Sequence, residues 1–130
     1  MTAADTNILV RFLTEDDQEQ AAAARRLFAA GPVWLSKTVL LETAWVLRSI
    51  YGLEEAEIRQ AFVKLLGLPN VHAEDARAVA AALALAAQGV ELADAVHLSS
   101  RPAGAAFATF DKALARRARR AGENGTSVLS

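Results

Sequence analysis

Short stretches typical of β-strands alternate with longer helical patterns along the chain, and this order constrains the fold more than any other feature. Five candidate strands occur, at residues 1–4, 32–36, 70–72, 105–110 and 126–129. Six helical patterns lie between them, at residues 16–30, 38–51, 54–66, 74–88, 92–100 and 112–121, and a short helix is expected after Asp5. Several of these patterns end at a glycine, as helices commonly do. The alternation predicts an α/β fold with a parallel sheet covered by helices.

The composition narrows the class of protein. A chain of 130 residues, 53% of them hydrophobic, can form one domain, residues 1–130, with a substantial core. Its formal charge of -1 argues against a protein that coats nucleic acid by bulk electrostatics. The absence of cysteine excludes disulfides and thiolate metal sites, which suits a cytoplasmic protein. The apolar run at residues 78–87 is too short for a membrane span, and the first residues lack the pattern of an export signal.

Five of the 15 acidic residues stand apart from the others. The other ten lie at polar helix starts, where negative charge is favoured, or in the polar tail. The five in mostly apolar surroundings are Asp5, Glu42, Glu91, Asp94 and Asp111. Glu91 directly precedes a helical pattern and is interpreted as a cap or as a supporting group.

Glu42 interrupts an otherwise apolar helical segment, residues 39–47. No cation lies three or four residues away from it, and an unpaired buried carboxylate is costly. Glu42 therefore indicates either a functional carboxylate or an exposed residue on a narrow polar stripe with Thr38 and Ser49.

Asp5 and Asp111 share a sequence context, because each follows an apolar stretch and precedes a helical pattern. Either residue could serve only as a helix N-cap, since aspartate is a preferred cap. However, the carboxyl ends of parallel strands form the ligand-binding crevice of an open α/β sheet. Two acids at such ends can converge although they are far apart in sequence.

Asp94 lies near the start of the helical pattern at residues 92–100, where an acid also interacts well with the helix dipole. His97, three residues later, could pair with it. We interpret His97 as a core or supporting imidazole and not as a metal ligand, because no second histidine is suitably spaced. His72 carries no comparable signal.

Apart from Glu91, four isolated carboxylates remain: Asp5, Glu42, Asp94 and Asp111. Such a set, without cysteine or clustered histidine, is typical of a metal site with hard oxygen ligands. Such a site favours Mg²⁺ or Mn²⁺ over zinc. Two ions about 4 Å apart can activate water and stabilise both the attacking and the leaving oxygen of a phosphodiester displacement. The acids therefore predict phosphodiester chemistry.

Four segments of the chain resemble, in the same order, the successive motifs of PIN domains, and more narrowly those of VapC-type toxins. These segments are residues 5–11, Glu42 with residues 45–47, residues 92–98 and residues 109–112. The resemblance spans nearly the whole chain. It implies a three-layer α/β/α fold with a central parallel sheet of four or five strands, a divalent-metal site in the crevice, and endonucleolytic cleavage of RNA. It also implies a small antitoxin partner and a homodimer.

The resemblance assigns roles residue by residue. The four acids that match the catalytic and metal-binding positions of the family are Asp5, Glu42, Asp94 and Asp111. Neighbouring polar positions that usually orient ligands or water match Thr6, Asn7 and Thr109. One departure concerns the first strand, where residues 2–4 are small instead of bulky and aliphatic, so that strand is expected to pack weakly.

The last helical pattern is strongly basic. Its cations are Lys112, Arg116, Arg117, Arg119 and Arg120, which give a net charge of +4 when Asp111 is included. This pattern indicates either a contact with the RNA backbone or a solvated face with cations near the negative helix end.

Two other functions compete with a ribonuclease toxin. One is a catalytically silent PIN-like module that only binds RNA or protein. The other is a phosphatase with Asp5 as nucleophile, although Asn7 occupies the place where such enzymes carry their second aspartate. A further alternative concerns Leu41 and Trp45, which either receive an antitoxin helix or are covered by the helix at residues 54–66.

Overall fold

A computed structural model describes all residues from Met1 to Ser130. The chain divides into two compact units: a first unit, Met1–Ala76, and a second unit, Arg77–Ser130.

The first unit contains a parallel sheet and four helices. Its elements are β1 (Thr2–Ala3), α1 (Thr6–Thr14), α2 (Gln18–Ala30), β2 (Val33–Leu35), α3 (Lys37–Ser49), α4 (Glu55–Leu66) and β3 (Val71–Ala73). Strand β2 lies in the centre, and its Val33 pairs with Thr2 of β1 on one side and Val71 of β3 on the other. Because all three strands are parallel, the residues that follow them share one edge of the sheet.

Polar side chains define where the helices of the first unit begin. Asp5, Asp17 and Ser36 each accept a hydrogen bond from the backbone N–H three residues later, in the first turns of α1, α2 and α3. Such a cap satisfies one of the backbone donors that a helix start leaves without an intrahelical partner. The three strand-to-helix or loop-to-helix junctions are therefore set by local chemistry that the sequence displays.

The core of the first unit is built around α1. This helix packs against both α2 and α3 and buries Leu9 and Val10 completely or nearly so. At the same interface the rings of Phe12 and Phe28 are stacked, with centroids 4.0 Å apart. Burial of each such side chain stabilises the fold by about 1.5–3 kcal/mol. The first turn of α1, which carries Asp5 and Thr6, is thus held on a well-packed helix.

The second unit contains most of α5 (Ala76–Ala87), followed by α6 (Leu92–Ser99), β4 (Phe107–Thr109), α7 (Lys112–Arg120) and β5 (Thr126–Val128). Strands β4 and β5 are parallel, and Phe107 pairs with Thr126. Helix α7 packs against both strands. It buries Leu114, Ala115 and Ala118, while its cations are exposed.

The structure confirms the predicted α/β class. All five strands and all seven helices lie at the predicted places, with ends that differ by a few residues, and every strand pair is parallel. The strands form one three-stranded and one two-stranded sheet. Strand β1 is only two residues long and both are exposed, as expected from its small side chains. None of the helices is long and apolar enough to cross a membrane.

Candidate active site

Asp5 lies between β1 and α1 and caps that helix. Its Oδ1 accepts a hydrogen bond of 3.2 Å from the backbone N–H of Ile8. The residue is exposed, and the cap uses only one of the two carboxylate oxygens. Capping and ligand binding therefore do not exclude one another at this position. Asn7 is exposed in the same helical turn.

Glu42 lies on α3 and is held close to the start of α1. The hydroxyl of Thr6 donates a short hydrogen bond to Glu42 Oε1. Since Thr6 directly follows Asp5, this bond brings two of the four candidate acids into one neighbourhood of the first unit. The role of Thr6 towards a ligand or water stays a prediction.

Glu42 is exposed, as the polar-stripe alternative predicted, and its functional role stays a prediction. Helix α3 buries Leu40, Thr43 and Leu47, which recur at helical spacing, so its inner face lies on the side away from Glu42. Glu42 is exposed together with Trp45 and lies on the polar stripe that the sequence offered as the alternative. Its carboxylate is thus accessible to solvent and to a ligand.

Asp111 repeats the geometry of Asp5 in the second unit. It follows β4, caps α7, and accepts a 3.0 Å hydrogen bond at Oδ1 from the backbone N–H of Leu114. Its own backbone N–H donates to Thr109 Oγ1 at 3.0 Å. Thr109 therefore shapes the turn that presents the carboxylate.

Asp94 lies in the first turn of α6 and is partly buried. Glu91 occupies the N-cap position of the same helix, but its side chain makes no capping hydrogen bond. His97 is exposed in the last turn, because α6 buries Leu92, Ala95, Val96 and Leu98 instead. Of the two alternatives for His97, the core imidazole is therefore wrong, and the supporting imidazole stays a prediction.

The donor set of these positions consists of oxygen atoms only. Carboxylates, with hydroxyl and amide oxygens beside them, suit Mg²⁺ or Mn²⁺. Neither unit by itself brings three or more His, Asp or Glu side chains together in a group that could hold a metal ion. Joint metal binding by the four acids stays a prediction.

A polar network that the sequence analysis did not anticipate lies at the other end of α1. Arg11 donates to Asp16 at 2.8 Å, to Gln20 at 2.7 Å and to the hydroxyl of Tyr51 at 3.2 Å. Tyr51 in turn donates to Asp16 at 2.6 Å, and this bond, assisted by Thr14 and Arg11, lowers the pKa of Asp16 to about 2. The pKa of Arg11 is raised, first by its hydrogen bond to Asp16.

A second missed feature lies at the carboxyl end of β3. Glu74 accepts a hydrogen bond of 2.9 Å from the backbone N–H of Lys37, and Asp75 forms an ion pair with the Lys37 side chain. The sequence analysis assigned both acids only to the start of the next helix. Because β2 and β3 are neighbours in the sheet, Glu74 and Asp75, which follow β3, lie beside the start of α3, which follows β2.

A groove of about 430 Å³ between α1 and α4 is separate from these acids. Its walls include Phe12, Leu13, Leu65 and Leu68, with Lys64 and Glu57 among the polar residues. None of the four candidate acids lines it. The groove is therefore not part of the candidate active site, which consists of the acids.

Comparison with known proteins adds one finding to this geometry. A search among curated proteins gave no match. A sequence model of the PIN domain matches residues 3–120, a span that reaches from β1 through α7 and includes all four candidate acids. Since this match covers most of the chain, the protein belongs to the PIN-domain family.

Proposed function

We propose that this protein is a divalent-metal-dependent endoribonuclease and the toxin of a toxin–antitoxin pair. PIN domains are generally nucleases that act on nucleic acids, and the match over residues 3–120 supports that part directly. The observation that carries the finer proposal is the placement of the acids. Asp5 and Asp111 follow the carboxyl ends of two strands, and Glu42 is tied to Asp5's neighbour Thr6.

Each residue has a defined task in the proposed reaction. The four acids, Asp5, Glu42, Asp94 and Asp111, would hold Mg²⁺ or Mn²⁺. When bound, the metal supplies an activated water and neutralises charge on the oxygens of the scissile phosphate. Thr6 fixes the orientation of the Glu42 carboxylate, and Thr109 fixes the turn that carries Asp111.

Purified protein and cellular RNA provide the test. We expect RNA cleavage in Mg²⁺ or Mn²⁺, loss of cleavage in chelator, and loss of cleavage by a folded Asp94→Asn variant. Glu19→Gln, which changes an exposed acid in the first turn of α2, is the matched control and should cleave normally. Mapping RNA ends in cells after induced expression would identify the target RNA.

Other results would favour a competing function. Equal cleavage by the wild type and Asp94→Asn would refute the assignment of the site. Tight RNA binding without cleavage in any divalent metal would favour the catalytically silent module. A trapped aspartyl-phosphate on Asp5 would favour the phosphatase.

The toxin proposal includes a small antitoxin protein, a homodimer and a cytoplasmic location. The contact with an antitoxin is supported by Trp45, which is 64% exposed on α3, three residues from Glu42. Helix α4 packs against α3 but leaves this aromatic ring uncovered. Exposed aromatic residues are frequent anchors of protein interfaces.

We expect Trp45→Ala to weaken antitoxin affinity by about tenfold or more while the folded state is retained, because a large exposed anchor is lost without a core contact. Trp45→Phe, which keeps an aromatic ring, should lose less. Isothermal titration with the antitoxin encoded beside the gene measures both affinities, and sedimentation velocity measures the oligomeric state. Wild-type affinity in a folded Trp45→Ala protein would contradict this part of the proposal.

A further inference from the structure

Helix α7 carries a concentration of positive charge that the protein itself does not neutralise. Elsewhere in the chain five of the nine cations form ion pairs, among them Arg11 with Asp16, Lys37 with Asp75, and Arg101 with Glu123. On α7, by contrast, all five cations are exposed and none forms an ion pair: Lys112, Arg116, Arg117, Arg119 and Arg120. Mutual repulsion of so many cations on nine residues is unfavourable unless an anion binds there.

The helix dipole explains only part of this pattern. Cations in the last turn, which include Arg119 and Arg120, interact favourably with the negative helix end. Lys112 is the first residue of the helix, where the dipole disfavours a cation. Lys112, Arg116 and Arg120 recur every four residues and so form one row, which extends along roughly 12 Å of the helix. A row of this kind matches a chain of phosphates better than a single anion.

An exposed aromatic ring stands at the start of the same helix. Phe110 is 77% exposed, the highest value among the large hydrophobic side chains. It lies between the end of β4 and the capping residue Asp111, in the turn closed by the bond from the Asp111 N–H to Thr109. Exposure of a phenyl ring to water contributes nothing to folding stability. A ring in this place, beside a candidate catalytic acid and at the end of a basic row, fits contact with a nucleobase.

We propose that Phe110 and the basic row of Lys112, Arg116 and Arg120, together called the α7 surface, bind a single-stranded segment of RNA. A base stacks on Phe110, and the following phosphates run along the cations. An unpaired segment is required because stacking on a side chain needs a base face that a duplex keeps covered. The inference rests on the proposed function for its choice of RNA, and it names Phe110 as the residue that sets the preference for unpaired substrate.

Fluorescence anisotropy in the presence of chelator tests this surface without any contribution from cleavage. The probe is a short, labelled, mixed-sequence single-stranded RNA, compared with the same sequence as a blunt duplex. We expect the wild type to favour the single strand, and Phe110→Ala to weaken single-strand affinity by about tenfold. Phe110→Tyr keeps the stacking ring and should bind like the wild type. Since Phe110 is so exposed, neither change is expected to impair folding.

The salt dependence of binding tests the cations separately. Each phosphate contact to a single strand contributes about 0.7 to the slope of log affinity against log salt. Arg116→Gln combined with Arg120→Gln should therefore reduce the slope by about 1.4. The matched control is Arg26→Gln combined with Arg77→Gln, which removes the same charge from two other exposed arginines without ion pairs and should leave the slope unchanged.

These measurements distinguish a failure of the proposed RNA-binding surface from a failure of the proposed cleavage reaction. Wild-type affinity in Phe110→Ala, equal affinity for single strand and duplex, or an unchanged slope in the α7 double variant would overturn the inference. If the predicted binding is observed but the wild type cleaves no RNA in Mg²⁺ or Mn²⁺, the proposed function fails while the RNA-binding surface stands.

Discussion

Two helices of this protein begin in the same way but differ in what surrounds them. Helix α1 and helix α7 each follow a short parallel strand, and each is capped by an aspartate whose Oδ1 accepts from the backbone N–H three residues later. In each case the aspartate is one of the candidate catalytic acids. The two junctions therefore share a local design, although they belong to different units of the chain.

The difference lies in the charges that follow. Helix α1 is covered by α2 and α3, and its cation, Arg11, is bound by Asp16, Gln20 and Tyr51. Helix α7 keeps one face on β4 and β5 and exposes all its cations without ion pairs. The two junctions thus share a candidate catalytic acid, but only the helix at the second junction presents cations that the fold leaves without ion pairs.

The largest expected effect is on catalysis. Asp5→Asn and Asp111→Asn should each reduce metal-dependent RNA cleavage by more than about a hundredfold, since even residues behind the ligands of a metal site contribute 10- to 100-fold. Thermal stability should change little, because asparagine caps helices about as well as aspartate. Initial cleavage rates and thermal melts of both variants provide the measurement.

A third capping aspartate supplies the matched control for this comparison. Asp17 caps α2 with a hydrogen bond of 3.0 Å from the backbone N–H of Gln20, but it is not a candidate acid. Asp17→Asn should therefore cleave RNA at the wild-type rate. If Asp17→Asn is as inactive as Asp111→Asn, loss of a metal ligand does not explain the defect, and the assignment of Asp111 to the site fails.

A smaller effect concerns the hydrogen-bond network around Arg11, the cation of α1. The pKa of Asp16 is about 2 in the folded protein, below its ordinary value of 3.8, first because of the hydrogen bond from Tyr51. Asp16 therefore stabilises the fold fully above about pH 3.8, and this contribution disappears as the pH falls towards about 2. Asp16→Asn should melt at a lower temperature than the wild type near neutral pH, and the difference should shrink across that acidic window.

Thermal melts between neutral pH and about pH 2 check this dependence. Tyr51→Phe removes the strongest hydrogen bond to Asp16 and should narrow the same window by raising the pKa of Asp16. Asp111→Asn, which changes an aspartate of the α7 junction outside this network, is the control and should not reproduce the profile. A constant difference in melting temperature between the wild type and Asp16→Asn at all pH values would show that the network is not electrostatic.

The sequence predicted the elements well because their boundaries are encoded locally. Aspartate and serine caps at residues 5, 17 and 36, and the alternation of strand-like and helical patterns, act over a few residues. The candidate acids could also be identified from the sequence, because their apolar neighbours distinguish them from the acids at polar helix starts.

Contacts between distant residues could not be predicted in the same way. The exposure of Glu42 stayed open because the sequence shows an apolar helix but not which of its faces is covered. The bond from Thr6 to Glu42 joins residues 36 positions apart, and that from Arg11 to Tyr51 joins residues 40 positions apart. The division of the strands into sheets of three and two also depends on packing over such distances. How the four acids combine stays a prediction for the same reason.

The capping bonds of Asp5 and Asp111 also bear on the entropy of ligand binding. A carboxylate whose Oδ1 is already bonded to the backbone is restricted in its rotamers, so little side-chain freedom would remain to be lost if it bound the proposed ion. Preorganisation of the acids is then a by-product of helix initiation. Fraying of the first turn of α1 or α7 would release the carboxylate at the same moment, so that local unfolding and loss of metal affinity become a single event at each junction.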